Sequence, residues 1–139
     1  MNILIDTNVI LDAMMSREPW NESAEKILIM AANKTITINI SASAITDIYY
    51  MVRKYLHSTE DAKKIIQSLL LLVHVLDVTS SDCVDAIASE IRDYEDAVIE
   101  AVARRNEVEC IVTRNMKDFE KCKVKIMEPD RFVKYIEEM

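Results

Sequence analysis

The sequence predicts an α/β fold: a parallel sheet covered by helices on both faces, built as one domain over residues 1–139. Three observations predict it. Short apolar or β-branched runs at 3–5, 35–40, 73–78, 109–112 and 124–126 alternate with segments whose apolar residues recur at helical spacing. Several of these runs end in cap-type or acidic residues that open the next helical segment. The 139 residues are half apolar and show no linker, repeat or low-complexity tract. A strand-then-helix order with right-handed crossovers brings every strand's C-terminal end to one rim. In open α/β sheets that rim binds ligands.

Ile3, Leu4 and Ile5 read as a buried strand without polar alternation, and Asp6 follows at once, a carboxylate at the strand tip. Thr7 and Asn8 are helix N-cap types, with Val9, Ile10, Ala13 and Met14 at helical spacing behind them. Arg17-Glu18-Pro19 breaks the pattern. Asn21 or Ser23 is expected to cap a helix that buries Ala24, Ile27, Leu28 and Ala31, and Trp20 before it reads as a packing anchor rather than a nucleobase platform. After the second strand, Ser41 or Ser43 caps a long helix to about His57, with Asp47 near its first turns and Ile48, Met51, Val52 and Tyr55 on its apolar face. Ser58-Thr-Glu-Asp61 is a capping-box pattern with Asp in place of Glu. Thr79-Ser-Ser-Asp82 caps the helix after the third strand, whose buried stripe is expected to be Val84, Ile87, Ala88 and Ile91. Asp93-Tyr-Glu-Asp96 heads the next helix, where acids meet free N–H groups and the positive dipole end. Residues 113–119 form a polar loop after the fourth strand, and Pro129 starts the last helix, with Phe132, Val133 and Ile136 inward.

Composition narrows the chemistry. Glycine is absent, which excludes a P-loop and a GxGxxG loop, both of which need Gly for close approach to phosphate. No apolar run reaches membrane-spanning length and no secretory signal is visible. Cys83, Cys110 and Cys122 are odd in number and far apart, as expected of reduced thiols in a cytoplasmic protein; packing is the default role for Cys83 and Cys110. His57 and His74 fit no metal-ligand spacing. A net charge of −7 rules out nucleic-acid binding through a general basic field, unless the acids are gathered at a metal site where cations reverse the local sign.

Four acids follow strand ends or open helices: Asp6, Asp47, Asp96 and Asp118. Any one of them is explained as a cap or a surface charge. Together they describe a cluster that repels itself unless divalent cations neutralise it or some members are protonated. Oxygen-only ligands point to Mg²⁺ or Mn²⁺ rather than zinc. Such ions activate water and stabilise in-line displacement at phosphorus, so phosphodiester hydrolysis is the natural chemistry. Thr113, Arg114 and Asn115 are placed to bond a ligand, a water or a phosphate. A receiver domain also combines a parallel sheet with an acid pocket. It needs an acidic pair after the first strand, an Asp ending the third and a Lys after the last. Here Asp6 is single, Asp77 lies mid-strand and Lys125 lies within a strand.

Three segments, Ile5-Asp-Thr-Asn-Val-Ile-Leu-Asp12, Asp93-Tyr-Glu-Asp-Ala-Val98 and Ile111-Val-Thr-Arg-Asn-Met-Lys-Asp-Phe119, resemble the motifs of PIN-domain proteins, of the kind found as VapC-like toxins. The likeness covers nearly the whole chain. It implies a three-layer α/β/α sandwich with a five-stranded parallel sheet and Mg²⁺- or Mn²⁺-dependent ribonuclease activity. It also implies an RNA substrate, an antitoxin partner and a homodimer. Asp6 matches the family's first acid; Asp47 stands where the second, usually Glu, is found; Asp96 matches the third, with Asp93 one turn earlier as a possible substitute. Asn115 replaces an acid, and Asp118 is the residue that can take over. On this resemblance Asp6, Asp47, Asp96 and Asp118 hold metal, while Thr113 and Asn115, with Asn8, Asp93 and Arg114 in support, orient water or complete the shell. The alternative is a non-catalytic metal- or protein-binding module with an altered acidic site.

Overall fold

A computed structural model describes residues 1–139. The chain runs β1 (Asn2–Ile5), α1 (Thr7–Met14), α2 (Asn21–Ala32), β2 (Thr37–Ser41), α3 (Ala42–Leu56), α4 (Thr59–Leu72), β3 (Val73–Leu76), α5 (Ser80–Ile87), α6 (Tyr94–Arg105), β4 (Cys110–Val112), β5 (Ile126–Met127) and α7 (Pro129–Glu137). The five strands form one parallel sheet in the order β3-β2-β1-β4-β5. β1 is central. The chain first winds outward through β2 and β3, then crosses back to β4 and β5 on the other side. Right-handed crossovers in opposite directions put their helices on opposite faces. The side chains sort accordingly. Ile3 and Ile5 join Ile38, Ile40 and Val112 in a core covered by α1 to α4 and α7, whereas Leu4 and Ile111 face α5, α6 and Phe119. No helix is long and apolar enough to cross a membrane.

The capping signals that are local in sequence are the ones the fold uses. Ser41 caps α3 by accepting from Ala44 N at 3.3 Å, and Ser58 caps α4 by accepting from Asp61 N at 3.1 Å. Thr79 and Asp82 close a full capping box on α5. Pro129 stands at the start of α7.

Several expectations are corrected. Asp6 itself occupies the N-cap position of α1, and Thr7 and Asn8 are already helical. Neither Asn21 nor Ser23 caps α2: Trp20 stands at that position, and the Ser23 hydroxyl instead donates to Asp130. β2 and β5 start two residues later than their patterns suggest, and β3 ends at Leu76. Met51 and Tyr55 are exposed, so the buried face of α3 is Ala44, Ile48 and Val52. The stripe of α5 also fails: Val84 is 69% and Ile87 76% exposed, and Ala88 is exposed as well; of its apolar residues only Ala86 is buried, with Ile91 buried beyond its end. α5 has eight residues and packs chiefly against α6, so a small apolar side chain, Ala86, suffices at that contact. Cys83 is exposed rather than packed; Cys110 is buried, which pushes its thiol up to about 11.

Candidate active site

The winding reverses between β1 and β4, and the C-terminal ends of these neighbours leave the crevice that such sheets offer to ligands. Asp6 stands at its centre. Its backbone N–H donates to Val112 O at 2.9 Å, which continues the β1–β4 ladder by one rung. Thr113, fully buried at the tip of β4, donates from Oγ1 to Asp6 Oδ2 at 2.9 Å. The same Thr113 oxygen accepts from Asn115 N at 3.0 Å. One carboxylate oxygen of Asp6 is thus held by a side chain, and the turn after β4 is folded around the bond that holds it.

Carboxylates from α6 and from the loop after β4 surround Asp6. Burial raises the Asp6 pKa above its usual value, and Asp118 raises it further; the Thr113 hydrogen bond and the Arg114 charge oppose the shift. Asp96, in the first turn of α6, is pushed up to about 7 by burial and then by the charges of Asp93, Asp6, Asp118 and Glu95. Asp93 is the N-cap of that helix and accepts from Asp96 N at 3.0 Å. Glu95 is raised by burial and then by Asp47, Asp93 and Asp6. The fold therefore brings Asp6, Asp93, Asp96 and Asp118 together. Asp47, exposed on α3, joins them through Glu95. Asn8 lies half-buried in the first turn of α1, beside Asp6 in the chain.

Arg114 has a different position from the one expected of a phosphate ligand. Its Nε and Nη2 donate to Asp12 Oδ2 and Oδ1 at 2.7 and 3.2 Å, and its guanidinium lies 4.1 Å from the Trp20 ring centroid. Asp12 is 0% exposed and also has Arg17 within 3.7 Å. The pair ties the loop after β4 to α1, and the α1–α2 turn is clamped beneath it. Trp20 serves as the cation's platform, in keeping with a packing role.

Two residues of this region were not singled out from the sequence. Glu95 has a signal in hindsight: it is an acid beside Asp96 in the first turn of a helix that opens on the ligand rim. Asp12 has another: an acid on the apolar face of a helix, beside Val9, needs a cation from elsewhere.

The donor chemistry suits a hard divalent cation, being all oxygen and mutually repulsive without one. As the side chains stand, no three His, Cys, Asp or Glu residues converge tightly enough to coordinate a single ion. Unneutralised carboxylates repel, so splayed rotamers are the expected arrangement for this charge density.

The PIN domain family model matches residues 2–117. The chain belongs to the PIN-domain family. Its fold recurs in solved structures of low sequence identity. One is VapBC2 from Rickettsia felis bound to a DNA fragment from its promoter, at 20% identity and a TM-score of 0.66, covering 92% of this chain and 98% of that one. A second is VapBC from Salmonella typhimurium bound to DNA, at 18% identity and a TM-score of 0.66, covering 93% and 98%. A third is VapC20 from Mycobacterium tuberculosis, described as a sarcin-ricin loop cleaving toxin, at 15% identity and a TM-score of 0.65, covering 85% and 93%. Comparison with curated proteins returned no significant match. Asp118, β5 and α7 lie beyond the matched residues.

Proposed function

We propose that this PIN domain is a VapC-like toxin: a Mg²⁺- or Mn²⁺-dependent endoribonuclease that hydrolyses RNA phosphodiester bonds and is restrained by an antitoxin protein. The observation that carries the reading is the gathering of carboxylates, none of them in an ion pair, at the β1/β4 switch point, with Asp96 at about 7. Family membership supports it, as do fold relatives that are toxins in complex with antitoxins.

Asp6, Asp47, Asp96 and Asp118 are the residues that would hold the ion, with Glu95 beside Asp47 as a further donor. A bound divalent cation supplies a polarised water and neutralises charge developing at phosphorus. Thr113 fixes the Asp6 carboxylate before any ligand arrives. Asp96, raised to about 7, would bind a cation in its deprotonated form. Asn115 offers an uncharged carbonyl oxygen where an acid is usual in the family, so Asp118 carries the charge on that side. Asp93 organises the start of α6, and Asn8 and Arg114 support the walls. A basic antitoxin segment complements the acidic crevice of a protein with net charge −7. A homodimer would set two such crevices along one groove.

The test is calorimetric titration with Mn²⁺ and Mg²⁺ on wild type and Asp6→Asn, with cleavage of single-stranded RNA followed in parallel. Binding and cleavage should both be lost in the variant while its circular dichroism is unchanged. A cleaving Asp6→Asn protein, free of contaminating nuclease, would sink the catalytic assignment. The non-catalytic module is favoured by one observation, the lack of a ready three-acid site. It takes the lead if wild type binds neither ion.

A further inference from the structure

The chain is acidic overall, yet its basic residues are unevenly placed. Residues 117–125 carry Lys117, Lys121, Lys123 and Lys125 against Asp118 and Glu120, and Asp118 belongs to the acidic cluster. This segment leaves the ligand rim after β4 and is pinned to α6 by buried Phe119 and by Lys123 N, which donates to Glu100 Oε2 at 2.7 Å. Between it and the turn into α6 lies a groove of about 950 Å³. Arg92, Lys117 and Lys121 line it, and all three are exposed. None takes part in the ion pairs of the fold. Asp93 and Asp118 also line the groove, so it opens directly onto the acidic cluster. Tyr94 forms part of the wall; its hydroxyl donates to Cys83 O at 2.8 Å, which fixes a half-exposed ring at the groove.

We propose that this groove carries a single-stranded RNA away from the acidic cluster, with Arg92, Lys117 and Lys121 on successive phosphates and Tyr94 stacked on a base. The inference rests on the ribonuclease reading and adds a track to it. Cations that follow the backbone and an aromatic face that accepts any base are the two elements of sequence-tolerant single-strand binding. Glu90 and Glu120 stand on the same walls and hold the affinity down. The track therefore orients the strand and leaves tight binding to the cleavage point.

The experiment is fluorescence anisotropy of a labelled 12-nucleotide single-stranded RNA in Mg²⁺, over a salt series. The Asp6→Asn background keeps the RNA intact. Arg92→Ala/Lys117→Ala/Lys121→Ala is compared with Lys54→Ala/Lys63→Ala/Lys64→Ala, which removes the same charge from α3 and α4 on the opposite face of the sheet. The groove variant should bind roughly tenfold more weakly, with the slope of log K against log salt flattened by about 2. The control should bind as the parent does. Equal losses in both variants, or none in either, would overturn the track. If the parent binds no RNA and wild type cleaves none in the parallel assay, the ribonuclease reading falls together with the track; cleavage by wild type alongside an unchanged groove variant removes the track alone.

Discussion

Two groups of carboxylates lie in this PIN domain, and their surroundings are opposite. Asp12 and Asp82 are each gripped by an arginine through two hydrogen bonds, Asp12 by Arg114 and Asp82 by Arg105 at 3.0 and 2.9 Å. The Arg105 hydrogen bonds hold the Asp82 pKa below its usual value. Asp6, Asp96 and Glu95 face other acids, and all three are shifted upward, burial first and neighbouring charge after it. The fold thus supplies an ion-pair partner where an acid closes a loop or a helix end, and leaves the switch-point acids without one, the Arg114 charge reaching Asp6 only in part. Identical chemistry serves structure in one place and leaves an unmet demand for positive charge in the other.

The comparison breaks most visibly at Asp12. Asp12→Ala leaves Arg114 and Arg17 beside an empty buried site and should cost about 3–5 kcal/mol in urea unfolding. The double change Asp12→Leu/Arg114→Met should recover part of that loss, since an apolar pair can replace a buried ion pair. Equal instability of the two proteins would mean that the pair is not the source. Asp82→Ala removes a partner of Arg105 and half of a capping box. A loss of about 1–3 kcal/mol is expected, smaller because Arg105 reaches solvent.

Acid should separate the two groups further. The folded Asp96 carboxyl binds a proton more tightly than the unfolded one, so the native state holds more protons between about 4 and 7, and stability without divalent ions should rise as pH falls through that window. Asp82 has the opposite sign: its contribution is present above the ordinary Asp value of 3.8 and is lost as pH falls through its depressed folded value. Thermal melts from pH 8 to 3 should show a gain and then a loss, and Asp96→Asn should shrink the gain, leaving the smaller part due to Asp6 and Glu95, without changing the loss. A monotonic profile in both proteins would contradict the assignment. The smallest effect is expected at Ile87→Ser, within about 0.5 kcal/mol, because that side chain is 76% exposed. A large loss there would restore the stripe that its spacing suggests.

Much of the site could be read before folding was considered. Asp6, Asp96 and Asp118 follow strands or open helices, and Thr113 ends an apolar run, so chain order alone sends them to one rim. Asp47 was reached by the same logic, although only Glu95 connects it to the rest. Arg114 could not be read this way. A basic residue beside a polar loop looks like a phosphate ligand until Asp12, 102 residues away, is found to hold it.

What the sequence determined by itself is local: strand and helix periods, the caps at Ser41, Ser58 and Thr79, and the delivery of acids to strand tips. These depend on neighbours within one or two turns. Tertiary structure alone decided which acids meet an arginine and which meet each other, that α5 exposes Val84 and Ile87, and that Lys117 and Lys121 face Arg92 across a groove. Such outcomes depend on which face of the sheet each crossover takes. A side chain's charge partner or burial is then set by residues that its own segment does not contain.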